Sequence, residues 1–584
     1  MSKKVGLDLG TTYSIASYYN EKEQKISAID FGTEEDDGTG YRPINAINSM
    51  VLFESDGTIH IGKDAAEYLE DDDIESFLGF KMLLNEVEET YKARGYSREY
   101  TPKKICSDYI KEVFNVAQGK KKGGDSFKNV KKIVYGVPLV WNSEQNEVKK
   151  RILRDIIMEA TGVKEVESFS EPALACAYIV YNINQRMTKE GNGENCSYSG
   201  HILVVDYGGG TLDITLCKVK ENEVSIIRSW GAGENTDNTM GSAGLAYMEA
   251  VADMILKENE LNFNKGDKKY KCFVCSIEDE IKRLKSKISE AVGNEAYCSE
   301  TGNFYNKKVN TAKAIYYNGK QCQIKYKHIF EAYNETIAPI LEKKLKEAIA
   351  YMDKEKVDYK KTDGSFKIAT IGGFCNFPLT YGQIIETRGL RKKGKYDGRY
   401  LDIDLKDTEM AVAYGATVNA NGLVKIKHQF PYSFNCYGSK LSKDKYKKKT
   451  CYDVTNKYKI WREGDEYTPN KPFFLVSENE DNQIFMTQGS TIPYLQAYYS
   501  NRSVNRILEP KMNLKVKRSD NESNSLVCVA FSMDENQVLT MHSYEMYDEA
   551  MNVNPLTEDY IKNHYKSYDY EELAKLDQLF GEIY

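Results

Sequence analysis

Apolar residues along this chain follow two rhythms. Up to about residue 423, short runs rich in β-branched residues alternate with longer stretches that repeat every three to four positions; beyond it the short runs dominate. Val5-Gly6-Leu7, Ile202-Leu203-Val204-Val205 and Ile368-Ala369-Thr370-Ile371 read as strands, each running into glycine. Further strands are expected at 13–19, 51–53, 59–61, 132–137, 166–169, 214–218 and 224–230. Helices are expected from 142 to 161, from 173 to 181 behind Glu171-Pro172, and at 243–257, 276–291, 330–352 (kinked at Pro339) and 409–417. A helix is also expected at 64–69, and the Gly/Asp/Glu-rich residues 31–40 read as a loop. Strands, turn and helices recur in the same order twice. The fold class is α/β: two similar lobes, about 1–186 and 201–400 with a return over 401–423, closing around a ligand.

Past the linker at 424–430, short strands and turns predict a compact β domain over 431–550, with strands near 473–476, 483–486, 514–516, 526–531 and 538–541. Pro555-Leu556-Thr557-Glu558 reads as a helix start, and Leu573, Leu576, Leu579, Phe580 and Ile583 as the apolar stripe of a short helical tail over 555–584.

The glycine turns carry the chemistry. Asp8-Leu9-Gly10-Thr11-Thr12, Asp206-Tyr207-Gly208-Gly209-Gly210-Thr211-Leu212-Asp213 and Gly372-Gly373 each follow an apolar strand. A strand ending in glycine lets backbone N–H groups approach a phosphate with no Cβ in the way. In the first two a carboxylate sits beside threonine hydroxyls, and a carboxylate next to phosphate needs a cation between them, Mg²⁺ held largely through water. Neither Gly-x4-Gly-Lys-Ser/Thr nor Gly-x-Gly-x-x-Gly accompanies them. The expectation is a nucleoside-triphosphate cleft gripped from both sides, with the late glycine pair near the nucleoside.

Composition narrows the partners. The formal net charge of −7 over 584 residues implies no pervasive basic face, hence no nucleic acid as the main partner. No apolar run is long enough to span a bilayer, and Met1-Ser2-Lys3-Lys4 leads straight into a strand. With twelve scattered cysteines the expectation is a reduced, cytoplasmic protein making no membrane contact. Cys272-Phe273-Val274-Cys275 has no second pair, so two free thiols are expected there rather than a metal site.

In order and content these features resemble the heat-shock 70 kDa chaperone family, DnaK type, within the actin and hexokinase ATPase superfamily. Gly6-Leu7-Asp8-Leu9-Gly10-Thr11-Thr12-Tyr13-Ser14 resembles the family's opening, and the Asp206–Asp213 stretch its second phosphate loop. Val137-Pro138 with Ser170-Glu171-Pro172-Ala173-Leu174-Ala175, and Glu409-Met410-Ala411-Val412-Ala413-Tyr414-Gly415-Ala416, resemble its two hinge regions. The resemblance covers residues 3–420 and extends weakly over 430–546. It implies a duplicated actin-like (ribonuclease H-like) two-lobe ATPase domain followed by a small β-sandwich-like domain. It implies ATP/ADP and Mg²⁺ as cofactors, and allows K⁺.

Site by site, the resemblance implies that Asp8 and Asp206 organise Mg²⁺, and that Thr11, Thr12 and Tyr13 hold the β- and γ-phosphates opposite Gly208, Gly209, Gly210 and Thr211. Lys81 falls where the family has its catalytic lysine, although an isolated lysine among apolar residues otherwise reads as one that snorkels to solvent. Glu171, Asp206 and Thr211 would position the attacking water. Gly10, Gly241, Lys285, Gly372, Gly373 and Asn376 would line the nucleotide. Phe374, Asn376, Lys282 and Ser242 depart from the family pattern, all on the nucleoside side, so the resemblance implies conventional phosphate chemistry and altered base recognition.

The function these features imply is ATP hydrolysis coupled to binding of extended or unfolded polypeptide by the β domain, with a co-chaperone and a nucleotide-exchange factor as further partners. The alternative is a nucleotide-switched protein serving one dedicated protein partner, favoured by the short tail and by the linker Lys425-Ile426-Lys427-His428-Gln429-Phe430 in place of the family's leucine-rich acidic strand. A small-molecule kinase and an actin-like filament are weaker readings.

Overall fold

The computed structural model describes residues 3–31, 33–36, 40–43, 45–62, 75–115, 129–142, 147–190, 197–233, 241–284, 287–289, 306–311, 313–394, 397–401, 403, 405–430, 433–442, 451–462, 464–474, 476–477, 486–487, 494–498, 526–534, 539–546, 563–564 and 569–575. The chain divides into two units, Met1–Ile426 and Lys427–Tyr584.

In the first unit, β1 (Lys3–Leu9), β2 (Tyr13–Asn20), β3 (Lys25–Ala28), β4 (Val130–Val137) and β5 (Glu165–Ser170) form one sheet in the order β5-β4-β1-β2-β3. β1 and β2 are an antiparallel hairpin, while β1–β4 and β4–β5 run parallel. The plan then repeats. β6 (Gly200–Tyr207), β7 (Leu212–Lys220), β8 (Glu223–Ala232), β9 (Phe366–Ile371) and β10 (Lys425–Ile426) form a sheet in the order β9-β6-β7-β8-β10. Here β6–β7 is the antiparallel hairpin and β6–β9 the parallel pair. β6 is buried from Ile202 to Tyr207 and β7 from Leu212 to Cys217 without alternation, as expected of strands covered on both faces.

Helices that frame these sheets include α1 (Glu147–Thr161), α2 (Glu171–Glu190), α3 (Gly244–Glu258), α4 (Lys268–Arg283), α5 (Tyr326–Thr336), α6 (Ala338–Lys354) and α7 (Leu405–Ala420). α2 and α7 carry small residues at their contacts, and Ala173, Ala177, Ala411 and Ala416 share one core cluster with Val134 of the first sheet and Val204 and Ala369 of the second. That shared core joins the two lobes at their base. The Thr417 hydroxyl of α7 accepts a hydrogen bond from the Gly6 N–H at 3.1 Å, fixing the helix across β1.

Several expectations are corrected in detail. Residues 31–40 are not simply a loop: Thr33–Asp36 and Gly40–Pro43 pair as an antiparallel hairpin, backbone pairing overriding the low strand preference of acidic residues. The helix expected over 330–352 is two helices parted at Ile337, with Pro339 in the first turn of α6, where a missing N–H breaks no helical bond. The helix placed at 276–291 begins at Lys268 and closes at Arg283, so Cys272 and Cys275 lie on α4 as free thiols. The linker is divided: Lys425–Ile426 pairs with β8 in the first unit, and Phe430 is buried in the second. The helix expected at 64–69 and the strand at 514–516 lie outside the described residues.

The second unit is antiparallel. Strands Val476–Ser477, Cys451–Trp461, Ser433–Ser442 and Tyr494–Tyr498 form one sheet in that spatial order. Phe473–Phe474, Leu526–Met533, Leu539–Met546 and Asp569–Lys575 form another, with Met486–Thr487 also on Leu526–Met533. The sheets meet through aromatic rings. Trp461 stacks on Phe430 at 4.2 Å and on Phe434 at 4.8 Å, and Phe434 meets Phe531 edge-on at 5.1 Å. The helical tail expected over 555–584 is corrected at Asp569–Lys575, which is a strand paired antiparallel with Leu539–Met546. Helix propensity is a weak preference there against the unpaired N–H and C=O groups of a strand edge. Among the described residues, no helix is long and apolar enough to cross a membrane.

Candidate nucleotide site

Both glycine turns stand at the ends of matching strands. Asp8 lies one residue from the end of β1, and Gly10-Thr11-Thr12 turns the chain into β2. Asp206 lies one residue from the end of β6, and Gly208–Thr211 turns it into β7, closed by the Gly208 N–H donating to Thr211 O at 3.2 Å. The turns face each other in contact. A Cβ on Gly209 would lie 2.2 Å from Thr12 Oγ1, and one on Gly210 2.4 Å from Thr11 Oγ1, so a side chain at either position would displace a threonine hydroxyl of the facing turn.

Neighbouring elements hold both turns. The Ser49 hydroxyl donates to Gly10 O at 2.8 Å, and the Ser49 N–H to Thr12 O at 2.8 Å. On the other side, the start of α3 takes the carbonyls of the second turn: Ser242 N–H donates to Gly210 O at 3.1 Å, Gly244 N–H to Gly208 O at 3.2 Å and Leu245 N–H to Gly209 O at 2.7 Å. Gly241, at φ 76°, packs on Gly210 O. With its carbonyls taken up by α3, this turn has the polarity an anion site needs.

Gly372 and Gly373 complete the arrangement. Gly372 adopts φ 81°, and a Cβ there would lie 2.6 Å from Asp206 Oδ1. The N–H groups of Phe374 and Cys375 donate to Tyr207 O at 2.9 and 3.1 Å. Among the described residues, chain neighbours apart, no heavy atom lies within 4 Å of a Cβ built on Gly208 or Gly373. Phe374 is buried against Tyr207, Tyr247 and Phe377, and Asn376 Nδ2 donates to Thr408 Oγ1 at 2.8 Å. Both side chains are thus engaged within the protein. Lys285 lies outside the described residues.

Beneath the turns sits a charged cluster. Lys81, in the short helical turn Phe80–Leu83, donates from Nζ to Glu171 Oε1 at 2.7 Å and lies 5.6 Å from the centre of the Trp141 ring. Its side chain is 4% exposed and that of Glu171 12%, so Lys81 is buried and paired rather than snorkelling. Thr211 Oγ1 donates to Asp213 Oδ2 at 3.3 Å, and the backbone of Leu139 also hydrogen-bonds the Asp213 carboxyl.

Burial dominates the carboxyls' titration. Desolvation and the charge of Glu171 push Asp8 up to about 7 against the pull of Lys81. Asp206 is raised well above the carboxylate range by desolvation, then by Glu171, Asp213 and Asp8. Asp213 is raised by desolvation and Glu171, against the hydrogen bonds from the Leu139 backbone and from Thr211. Four carboxyls around one lysine leave the cluster short of positive charge, and a cation is what their ionised forms require. Among the described residues no three His, Cys, Asp or Glu side chains gather into a direct metal cage. The carboxyls at the ends of β1 and β6 fit a cation held through water.

The structure brings the expected Asp8, Gly10, Thr11, Thr12, Lys81, Glu171, Asp206, Gly208–Thr211, Gly241 and Gly372 into one neighbourhood. Sequence reasoning did not assign Asp213 a role, although it ends the quoted motif. It also passed over Ser49 and Trp141, which carry no local signal and reach the site through the fold.

The profile of the Hsp70 protein family matches residues 4–425. Among similar curated proteins are those named Chaperone protein DnaK. The one from Picrophilus torridus is 22% identical over 402 residues, 68% of this chain and 56% of the relative, and the one from Thermoplasma volcanium is 23% identical over the same shares. Thermotoga petrophila has one 26% identical over 227 residues, 39% of this chain and 32% of the relative. The aligned regions thus span from about a third to just over half the length of these relatives. With that match laid over two sheets of one plan and their facing glycine turns, the chain belongs to the Hsp70 family.

Proposed function

We propose that the first unit binds and hydrolyses ATP between the two glycine turns, and that the chain works as an ATP-dependent chaperone whose second unit binds extended polypeptide. The observation that carries this reading is the buried Lys81–Glu171 pair set among Asp8, Asp206 and Asp213 under the two turns. Phosphoryl transfer to water needs positioning and charge stabilisation, and a buried lysine surrounded by carboxylates supplies both. In this scheme the N–H groups and hydroxyls of Thr11, Thr12 and Thr211 hold the phosphates. Glu171 and Asp206 orient the attacking water and accept its proton, and Lys81 offsets the charge on the transferring group. Bound Mg²⁺ would neutralise β- and γ-phosphate oxygens. In the second unit, polypeptide would add by strand pairing and side-chain pockets. A co-chaperone, an exchange factor and a cytoplasmic setting belong to the same reading.

Steady-state ATP hydrolysis with and without extended hydrophobic peptides tests it. Peptide-stimulated turnover is expected; turnover indifferent to peptides but raised by one captured protein would favour the dedicated-partner alternative. Asp206→Ala and Lys81→Ala are each expected to lower turnover by at least about 100-fold with the circular dichroism spectrum retained. Full turnover in either variant would refute the site.

A further inference from the structure

Among the described residues, polar contacts from α3 and α4 of the second lobe to the first include three. Arg94 Nη1 pairs with Glu249 Oε1 at 2.8 Å, Lys271 Nζ donates to Ser76 O at 3.0 Å, and Lys282 Nζ donates to the Tyr13 hydroxyl at 2.8 Å. The third differs from the others in where it lands. Tyr13 directly follows Gly10-Thr11-Thr12 and opens β2. Lys282 Nζ lies 4.8 Å from the centre of the Tyr13 ring, at its hydroxyl end, so the contact is a charge-assisted hydrogen bond. Glu278, one helical turn back on α4, holds the same ammonium at 2.6 Å. Lys282 is thus extended from the second lobe to the first glycine turn by a partner on its own helix.

We propose that Lys282 is a positioning residue that pins the first glycine turn to the second lobe through Tyr13, and so sets how fast nucleotide leaves. The proposal rests on the nucleotide reading above. A ligand gripped by both turns leaves when the turns part. Parting moves Tyr13, on one lobe, away from Lys282, on the other. Of the three crossing contacts, this one alone is continuous in sequence with a glycine turn, so its strength passes directly to the turn.

The test is the dissociation rate of a fluorescent methylanthraniloyl-ADP from the full chain with Mg²⁺, by stopped flow, for the parent, Lys282→Ala, Lys282→Arg, Tyr13→Phe and the Lys282→Ala/Tyr13→Phe double variant. Lys282→Ala is expected to release the probe about tenfold faster, on the scale of one charge-assisted hydrogen bond. Lys282→Arg, which keeps a charged donor for the Tyr13 hydroxyl, should recover most of the loss. The double variant should release no faster than the quicker single one, because both changes break one contact. An unchanged rate in Lys282→Ala, or effects that simply multiply in the double variant, would overturn the pin.

Amide hydrogen exchange over residues 10–14 of the nucleotide-free chain is the second readout: it should quicken in Lys282→Ala, and equal exchange refutes the proposal without any nucleotide. If the parent does not hold the probe at all, the ATP reading fails, while the exchange comparison still decides the pin.

Discussion

Asp8 sits where burial and function oppose each other. Its carboxyl is pushed up to about 7 by desolvation and Glu171, whereas an unfolded chain would ionise it near the ordinary carboxylate value. The folded state therefore holds the extra proton, and the stability this confers is complete at acid pH and lost as pH rises through about 7. Asp206 and Asp213 shift in the same direction. The nucleotide-free protein is expected to melt at falling temperature from about pH 5 to about pH 8, with Asp8→Asn flattening the fall and Mg²⁺ with ATP reversing it; a thermal-shift series across pH checks this. Arg399 and Asp397 show the opposite case. They pair at 2.7 Å with side chains 1% and 0% exposed, and Arg399 Nη2 also donates to Arg391 O at 2.7 Å. Asp397→Ala would leave a buried guanidinium unpaired and is expected to cost about 3–5 kcal/mol, read by chemical denaturation.

At the scale of elements, the site depends on two turns approaching closely enough that an added methyl group must displace a side chain of the facing turn. A Cβ at Gly210 would fall 2.4 Å from Thr11 Oγ1 and 2.9 Å from Met82 Sδ. Gly210→Ala is expected to push the Thr11 hydroxyl and the Met82 side chain aside, costing about 1 kcal/mol and weakening nucleotide binding in a fluorescence titration. The glycine turns were legible because the chemistry demands glycine, hydroxyl and carboxylate in close sequence. Boundaries tied to contacts elsewhere were less so. α4 begins at Lys268, where Tyr270, Phe273, Val274 and Ile277 bury one face of the helix. Asp569–Lys575 carries Glu571, Glu572 and Ala574, residues at home in a helix, and becomes a strand because Leu539–Met546 presents an edge to pair with.

At the scale of the molecule, two units with separate cores give a direct thermodynamic expectation. Calorimetry should resolve two transitions, and Mg²⁺ with ATP should raise the one belonging to the first unit, by about 2.7 kcal/mol at a hundredfold excess over Kd. A single transition insensitive to nucleotide would contradict both the division and the ligand.

What the sequence determined by itself is local: strands running into glycine, carboxylates beside threonines, a duplicated order of elements, and a change of texture after residue 423. These follow from backbone sterics and side-chain period, which act over a few residues. What only the tertiary structure decided is which distant residues meet. Lys81 finds Glu171 ninety positions away, Thr12 closes on Gly209, and Lys282 reaches Tyr13 across the lobes. Such pairings are set by how two sheets and their helices share one core, and no short stretch of sequence encodes that packing.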